Sequence, residues 1–116
     1  MRLEMRAPPH IRHQLLSMKG CQVEFHASPE LNGTYACDKI ALAALRVIVI
    51  DFSVGLGLPG SAERYEHTTV DERTIAFTGE QLQALYRALR DYATLLGYYA
   101  SGTATSPPPQ PVLITP

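Results

Sequence analysis

The most regular stretch of the chain runs from Thr78 to Tyr99, where Leu82, Leu85, Leu89, Tyr92, Leu96 and Tyr99 recur at steps of three and four. That spacing puts all six on one stripe of an α-helix. Glu80, Gln83, Arg87, Arg90, Asp91 and Thr94 fall on the other faces, with Arg87 and Asp91 one turn apart as an expected ion pair. Thr78 followed by Gln81 is a capping-box pair, in which each side chain satisfies a backbone N–H of the other. A seam this regular has to be covered. The core of a small domain is one cover, and in a sharper reading another subunit is a second.

A different period holds upstream. Val23 and Phe25 alternate with Gln22, Glu24 and His26, the pattern of a half-buried strand. Asn32-Gly33 lies in a turn region from Pro29 to Gly33 and is the pair that most readily takes positive φ. Thr34 to Ala36 then returns, so residues 22–36 read as a hairpin. From Asp38, a plausible N-cap, the chain is apolar on almost every residue to about Val54. Ala41, Ala43, Ala44 and Leu45 favour helix, whereas Val47 to Ile50 is a β-branched block that favours strand. Strands rarely exceed about ten residues, so length decides for a helix over 38–54. It would be apolar on most sides and need heavy burial or partner contact. Gly55, Gly57, Pro59 and Gly60 end it.

Residues 61–78 read as a second hairpin. Tyr65, His67 and Thr69 share one face of its first strand, and Arg73, Ile75 and Phe77 share one face of its second. Asp71-Glu72 is not the Asp-Gly pair of the tightest turns, so a longer or bulged turn is expected. Two strands alone are marginal in water, so Ile75 and Phe77 are expected to lie on a helix.

The ends look different. Ile11 to Met18 fits a short helix or a strand, but Met1 to Pro9 is basic and proline-bearing, and residues 1–20 as a whole read as an arm. Residues 101–116 carry five prolines and read as an extended polyproline-type arm. Near its tip, Val112-Leu113-Ile114 has nothing local to cover it, which suits docking on a neighbour, for example by adding a strand to an open edge.

Composition narrows the function classes. A chain of 116 residues is one domain with a little left over for arms. The formal charge of -1 gives no global footprint for nucleic acid. Locally, Arg2, Arg6, Arg12 and Lys19 stand against Glu4 alone in residues 1–20, a net of +3. Glu63, Glu66, Asp71, Glu72 and Glu80 stand against Arg64 and Arg73 in residues 61–80, a net of -3. Neighbouring copies could use that asymmetry. Cys21 and Cys37 are too few for a disulfide scaffold, and with no CxxC or HxxxH a metal site is not expected. No secretory core follows Arg2 and Arg6, and Arg46 and Asp51 break the longest apolar run. The expectation is a soluble cytoplasmic protein that touches no membrane.

No arrangement spells out a reaction. His10 and His13 suit a surface near a terminus. His67 beside Glu66 has the chemistry of a general base without a nucleophile near it in sequence, and neither Cys37 nor Cys21 lies in an activating setting. The run Gly55-Leu56-Gly57-Leu58-Pro59-Gly60 lacks the Lys-Ser/Thr of a phosphate loop. Tyr92, Tyr98 and Tyr99 have the chemistry to stack bases, though Tyr92 and Tyr99 belong to the seam. The N-terminal arginines could touch DNA phosphates without sequence preference.

Three details resemble a known family. A Leu45-Arg46 pair lies inside the first apolar helix. Val70-Asp71-Glu72-Arg73-Thr74-Ile75-Ala76-Phe77-Thr78 is similar to a "V-D-G-R-x-V-x-F-T" hairpin half, and a Gln-Leu-Gln-Ala-Leu-Tyr-Arg-Ala-Leu helix follows at once. Together they resemble the head-completion proteins of tailed bacteriophages, of the lambda W type. The resemblance covers about half the chain. It implies an α+β fold with two helices packed on a β-hairpin, and a ring of subunits, twelve being expected, beneath the portal. Such a ring helps to retain packaged DNA and gives the next neck or tail protein a docking surface.

The expectation is therefore a small α+β domain at residues 21–100 with an additional N-terminal hairpin. It needs no cofactor and catalyses nothing. It carries a basic N-terminal arm (1–20) and a Pro-rich C-terminal arm (101–116), and works in a phage neck by packing and arm exchange. Its contacts would be Arg2, Arg6, Arg12, Tyr92, Tyr98, Tyr99, Val112, Leu113 and Ile114, toward its own copies, the portal protein and a downstream neck or tail protein. The rival expectation is a small cytoplasmic regulatory or inhibitor module acting as a dimer through the same seam.

Overall fold

The computed structural model of the protein describes residues 8–115. Pro9 occupies the first position of helix α1 (Pro9–Met18), where its fixed φ suits a helix start and its missing N–H is no loss. Gly20 ends this segment at φ +83°, and a Cβ there would lie 2.9 Å from the Tyr35 carbonyl oxygen. Strand β1 (Cys21–Phe25) buries Cys21, Val23 and Phe25, as its alternation requires. A 3-10 turn at Pro29–Leu31 leads into β2 (Gly33–Tyr35), antiparallel to β1 with Cys21 opposite Tyr35.

Helix α2 (Lys39–Ser53) is followed by the glycine-rich break and by the hairpin of β3 (Tyr65–Thr68) and β4 (Thr74–Phe77), in which Tyr65 pairs with Phe77 and His67 with Ile75. Length outweighs the β-branched block at 47–50, and residues 39–53 are helical. Helix α3 (Gly79–Ala100), about 33 Å long, starts at the full capping box. The Gln81 N–H donates to Thr78 Oγ1 at 3.2 Å, and the Thr78 N–H donates to Gln81 Oε1 at 2.9 Å. Leu82, Leu85, Leu89, Tyr92 and Leu96 are buried along its seam and Tyr99 is half-buried. The chain closes with β5 (Val112–Ile114). The molecule is an α+β domain.

The core lies where α3 meets the other elements. Helices α1 and α2 both pack on it, and β1, β4 and β5 contact it as well. The strands form a three-stranded sheet in the order β2-β1-β5 and a separate two-stranded ribbon. Aromatic rings join the two. Phe77 meets Tyr35 edge-on at 5.8 Å and Phe25 at 6.1 Å, while His67 stacks on Tyr35 at 5.8 Å. The Val70 N–H donates to the Thr34 carbonyl at 2.9 Å, tying the ribbon's tip to β2. The ribbon thus rests on the aromatic side chains of the other sheet, and β4 also contacts α3, in keeping with the helix support expected for it.

Several expectations are corrected. The segment read as a basic arm over 1–20 contains α1, which packs on α3 of its own subunit; Arg2 and Arg6 lie outside the described residues. The Pro-rich arm of 101–116 turns back, and β5 lies parallel to β1 with Val23 opposite Val112 and Phe25 opposite Ile114. The apolar triplet does add a strand to an open edge, but the edge is its own. Asn32 has φ -61°, so Asn32-Gly33 is not a left-handed pair. The Asn32 side chain closes the loop instead, accepting from the Phe25 N–H at 2.7 Å. Asp38 holds the N-cap position of α2 with no side-chain cap bond. Asp91 pairs with Arg90 at 3.0 Å, not with Arg87, and both partners are more than half exposed, so the pair contributes little.

Candidate interaction surface

Helix α2 has two apolar sides. Leu42, Leu45, Ile48, Val49 and Phe52 face the core, and Phe52 covers Gly79 so closely that a Cβ at Gly79 would run into the ring. On the opposite side, Ile40, Ala43, Val47 and Ile50, with the C-cap residue Val54, repeat at steps of three, four, three and four. That side is open. Ile40 is 81% exposed, Val47 62%, Ile50 44% and Val54 66%. Single exposed apolar residues are ordinary, but a contiguous stripe of them along a helix marks a surface made for contact. Arg46 and Asp51, both exposed, border it.

The residues expected to make contacts do not converge. Arg12 is half-buried near Tyr99 and Ala100. Tyr92 is buried, and its hydroxyl accepts a bond from Gln110 Nε2 at 2.7 Å. Tyr98 is exposed on α3, while Tyr99 is half-buried. Val112 and Ile114 are half-buried in the sheet, and Leu113 alone of the triplet points outward. The α2 stripe is legible in the sequence as a heptad-like repeat, and a helix apolar on most sides needs burial or a partner, but which side stays open depends on what packs against it.

Several of the chemistry-bearing groups are engaged within the fold. A hollow between α1 and the start of α2 brings together His10, His13, Cys37 and Asp38. There His13 Nε2 is 2.9 Å from the Ala93 carbonyl oxygen, and Cys37 Sγ donates to the Ser17 carbonyl at 3.5 Å. Burial, with Asp38 nearby, pushes the Cys37 thiol up to about 11. Burial and the neighbouring Cys37 push Cys21 up to about 12. Neither supplies thiolate near neutral pH. His67 sits against Tyr35 and Phe77 in the aromatic cluster, and burial lowers its pKa. The concavity at residues 56–61 is lined by Asp51, the wrong charge to attract a phosphate. Among the described residues no three His, Cys, Asp or Glu side chains are grouped to hold a metal ion, and no helix is long and apolar enough to cross a membrane. Comparison with family models, with curated proteins and with solved structures found no match to this chain.

Proposed function

We propose that this protein is a non-enzymatic assembly subunit that works by packing against other protein surfaces, in the manner of a head-completion protein in the neck of a tailed phage, where copies would form a ring at the portal and present a surface to the next neck or tail protein. One observation carries this reading: α2 is apolar on two opposite sides, and only one of them is covered by its own domain. A helix of that kind is stable in water when a second surface closes over it. The order of helix, glycine-rich break, hairpin and capped helix on which the family resemblance rests is also the order of α2, β3, β4 and α3. The mechanism differs from arm exchange, because β5 is paired within its own subunit. Assembly falls instead to the outer face of α2.

The same observation serves a second reading, a small regulatory module that functions as a dimer. The return of the C-terminal segment to its own sheet favours it, since such a chain does not depend on a ring to cover that strand. Sedimentation of the protein alone and mixed with assembled portal rings separates the two. A neck subunit co-sediments with the portal, and Val47→Glu abolishes the association while leaving the circular dichroism spectrum unchanged. A self-associating chain that ignores the portal supports the regulatory module. A chain that stays monomeric at millimolar concentration and binds no portal removes both.

A further inference from the structure

We propose that the outer face of α2 is covered by α2 of a second copy of this chain, the two helices lying side by side, parallel and in register. This inference rests on the assembly reading and names the occupant of its surface.

Ile40, Val47 and Val54 are spaced by seven, with Ala43 and Ile50 between them at the intervening steps. In coiled-coil terms they fill successive a and d positions over two heptads, with Ile or Val at a and Ala43 and Ile50 at d. Small Ala43 at d lets the two helices approach closely near their N-terminal ends. The flanking positions carry the directional information. Lys39 and Arg46 occupy g, and Ala44 and Asp51 occupy e. In a parallel pair a g residue meets the e residue five positions later on the other helix, so Arg46 meets the second copy's Asp51. The two-fold axis makes that contact twice. In an antiparallel pair g meets g and e meets e. That would bring the cations Lys39 and Arg46 of the two copies to one flank and leave Asp51 facing Asp51 or Ala44. The charge pattern favours one orientation and disfavours the other. Lys39, Arg46 and Asp51 flank the apolar stripe, and each is exposed and able to reach across. The contact is isologous and closes at two copies, so a larger ring would be built from such pairs through a different surface.

Cysteine cross-linking reads the orientation directly. Ile40→Cys and Val54→Cys variants are oxidised with copper–phenanthroline and run on non-reducing gels. The unsubstituted protein is the control, since Cys21 and Cys37 are fully buried. The parallel pair predicts that each variant alone forms a covalent dimer. The two sites are about 21 Å apart along the helix, so an antiparallel pair would link Ile40→Cys only to Val54→Cys in a mixture, and that result overturns the proposal. Arg46→Asp or Asp51→Arg alone should weaken self-association about tenfold, and the double variant should restore it. Self-association that is lost with Val47→Glu but unmoved by either charge reversal also overturns the parallel pairing, while leaving the assembly reading intact. A chain that is monomeric throughout removes this inference, and it removes the assembly reading as well only where it also fails to bind the portal.

Discussion

Gln110 Nε2 donates a hydrogen bond to the Tyr92 hydroxyl at 2.7 Å, and the same side chain's Oε1 accepts from the Gln22 N–H at 2.8 Å. One residue of the proline-rich segment thus ties α3 to the first strand and delivers β5 to its edge. The C-terminal segment is therefore part of the fold. Deleting residues 107–116 should uncover β1, along with the half-buried side chains of Val112 and Ile114, and lower stability by about 3 kcal/mol, given roughly 1.5–3 kcal/mol for each fully buried side chain of this size. Urea unfolding followed by circular dichroism checks this. A truncated chain as stable as the full one would mean that β5 contributes nothing to its own subunit.

Gly79 opens α3 directly beneath the Phe52 ring. At the first turn of a helix alanine normally outperforms glycine by about 0.5–1 kcal/mol. Here the added methyl displaces an aromatic ring that seats α2 on α3. Gly79→Ala should therefore destabilise by about 1–3 kcal/mol, the usual cost of overpacking. Phe52→Leu in the same chain should recover part of that loss. A double-mutant cycle by thermal or urea unfolding measures the coupling.

The sequence showed what local rules control and hid what depends on distant partners. The α3 seam and its capping box are local, and both stand as read. The helical state of 39–53 was also legible, because length outweighs the preference of four β-branched residues. Which of its two apolar sides would be covered was not, since Leu45 and Val47 are equally hydrophobic and differ only in what lies opposite. The fate of Val112–Ile114 was hidden for a related reason. Its partner, β1, precedes it by nearly ninety residues, and five prolines suggested an extended arm where the chain in fact returns. Asn32 failed in another way. Its value lies in the side-chain oxygen that caps the Phe25 N–H, not in positive φ.

Glu72 sits at φ +66° in the turn between β3 and β4. The Thr69 N–H donates to the Arg73 carbonyl at 2.8 Å, and the Glu72 N–H donates to the Thr69 carbonyl at 3.0 Å, so the turn's own hydrogen bonds hold the residue there. A left-handed conformation costs a residue with a Cβ about 1–2 kcal/mol, and glycine avoids that cost while losing some chain entropy. Glu72→Gly should raise stability by about 0.5–1 kcal/mol, read as a higher urea midpoint at unchanged slope.

His67 gives the fold a pH dependence whose sign follows from burial. Its ring lies against Tyr35 and Phe77, and burial lowers its pKa below the ordinary value of about 6.5. The unfolded chain then binds the proton more readily than the folded one. The stability of the neutral folded form is complete above about pH 6.5 and is lost as pH falls toward the lower folded-state value. Asp71, whose hydrogen bonds from Thr69 and Arg73 hold its carboxyl below the usual range, contributes with the same sign but only at more acidic pH, and its exposure to solvent keeps that contribution small. The urea midpoint should therefore drop between pH 7.5 and pH 5.5. His67→Phe keeps a flat ring against Tyr35 while removing the titrating group, so that variant should lose most of the drop. A midpoint falling as steeply in the variant would place the responsible proton elsewhere.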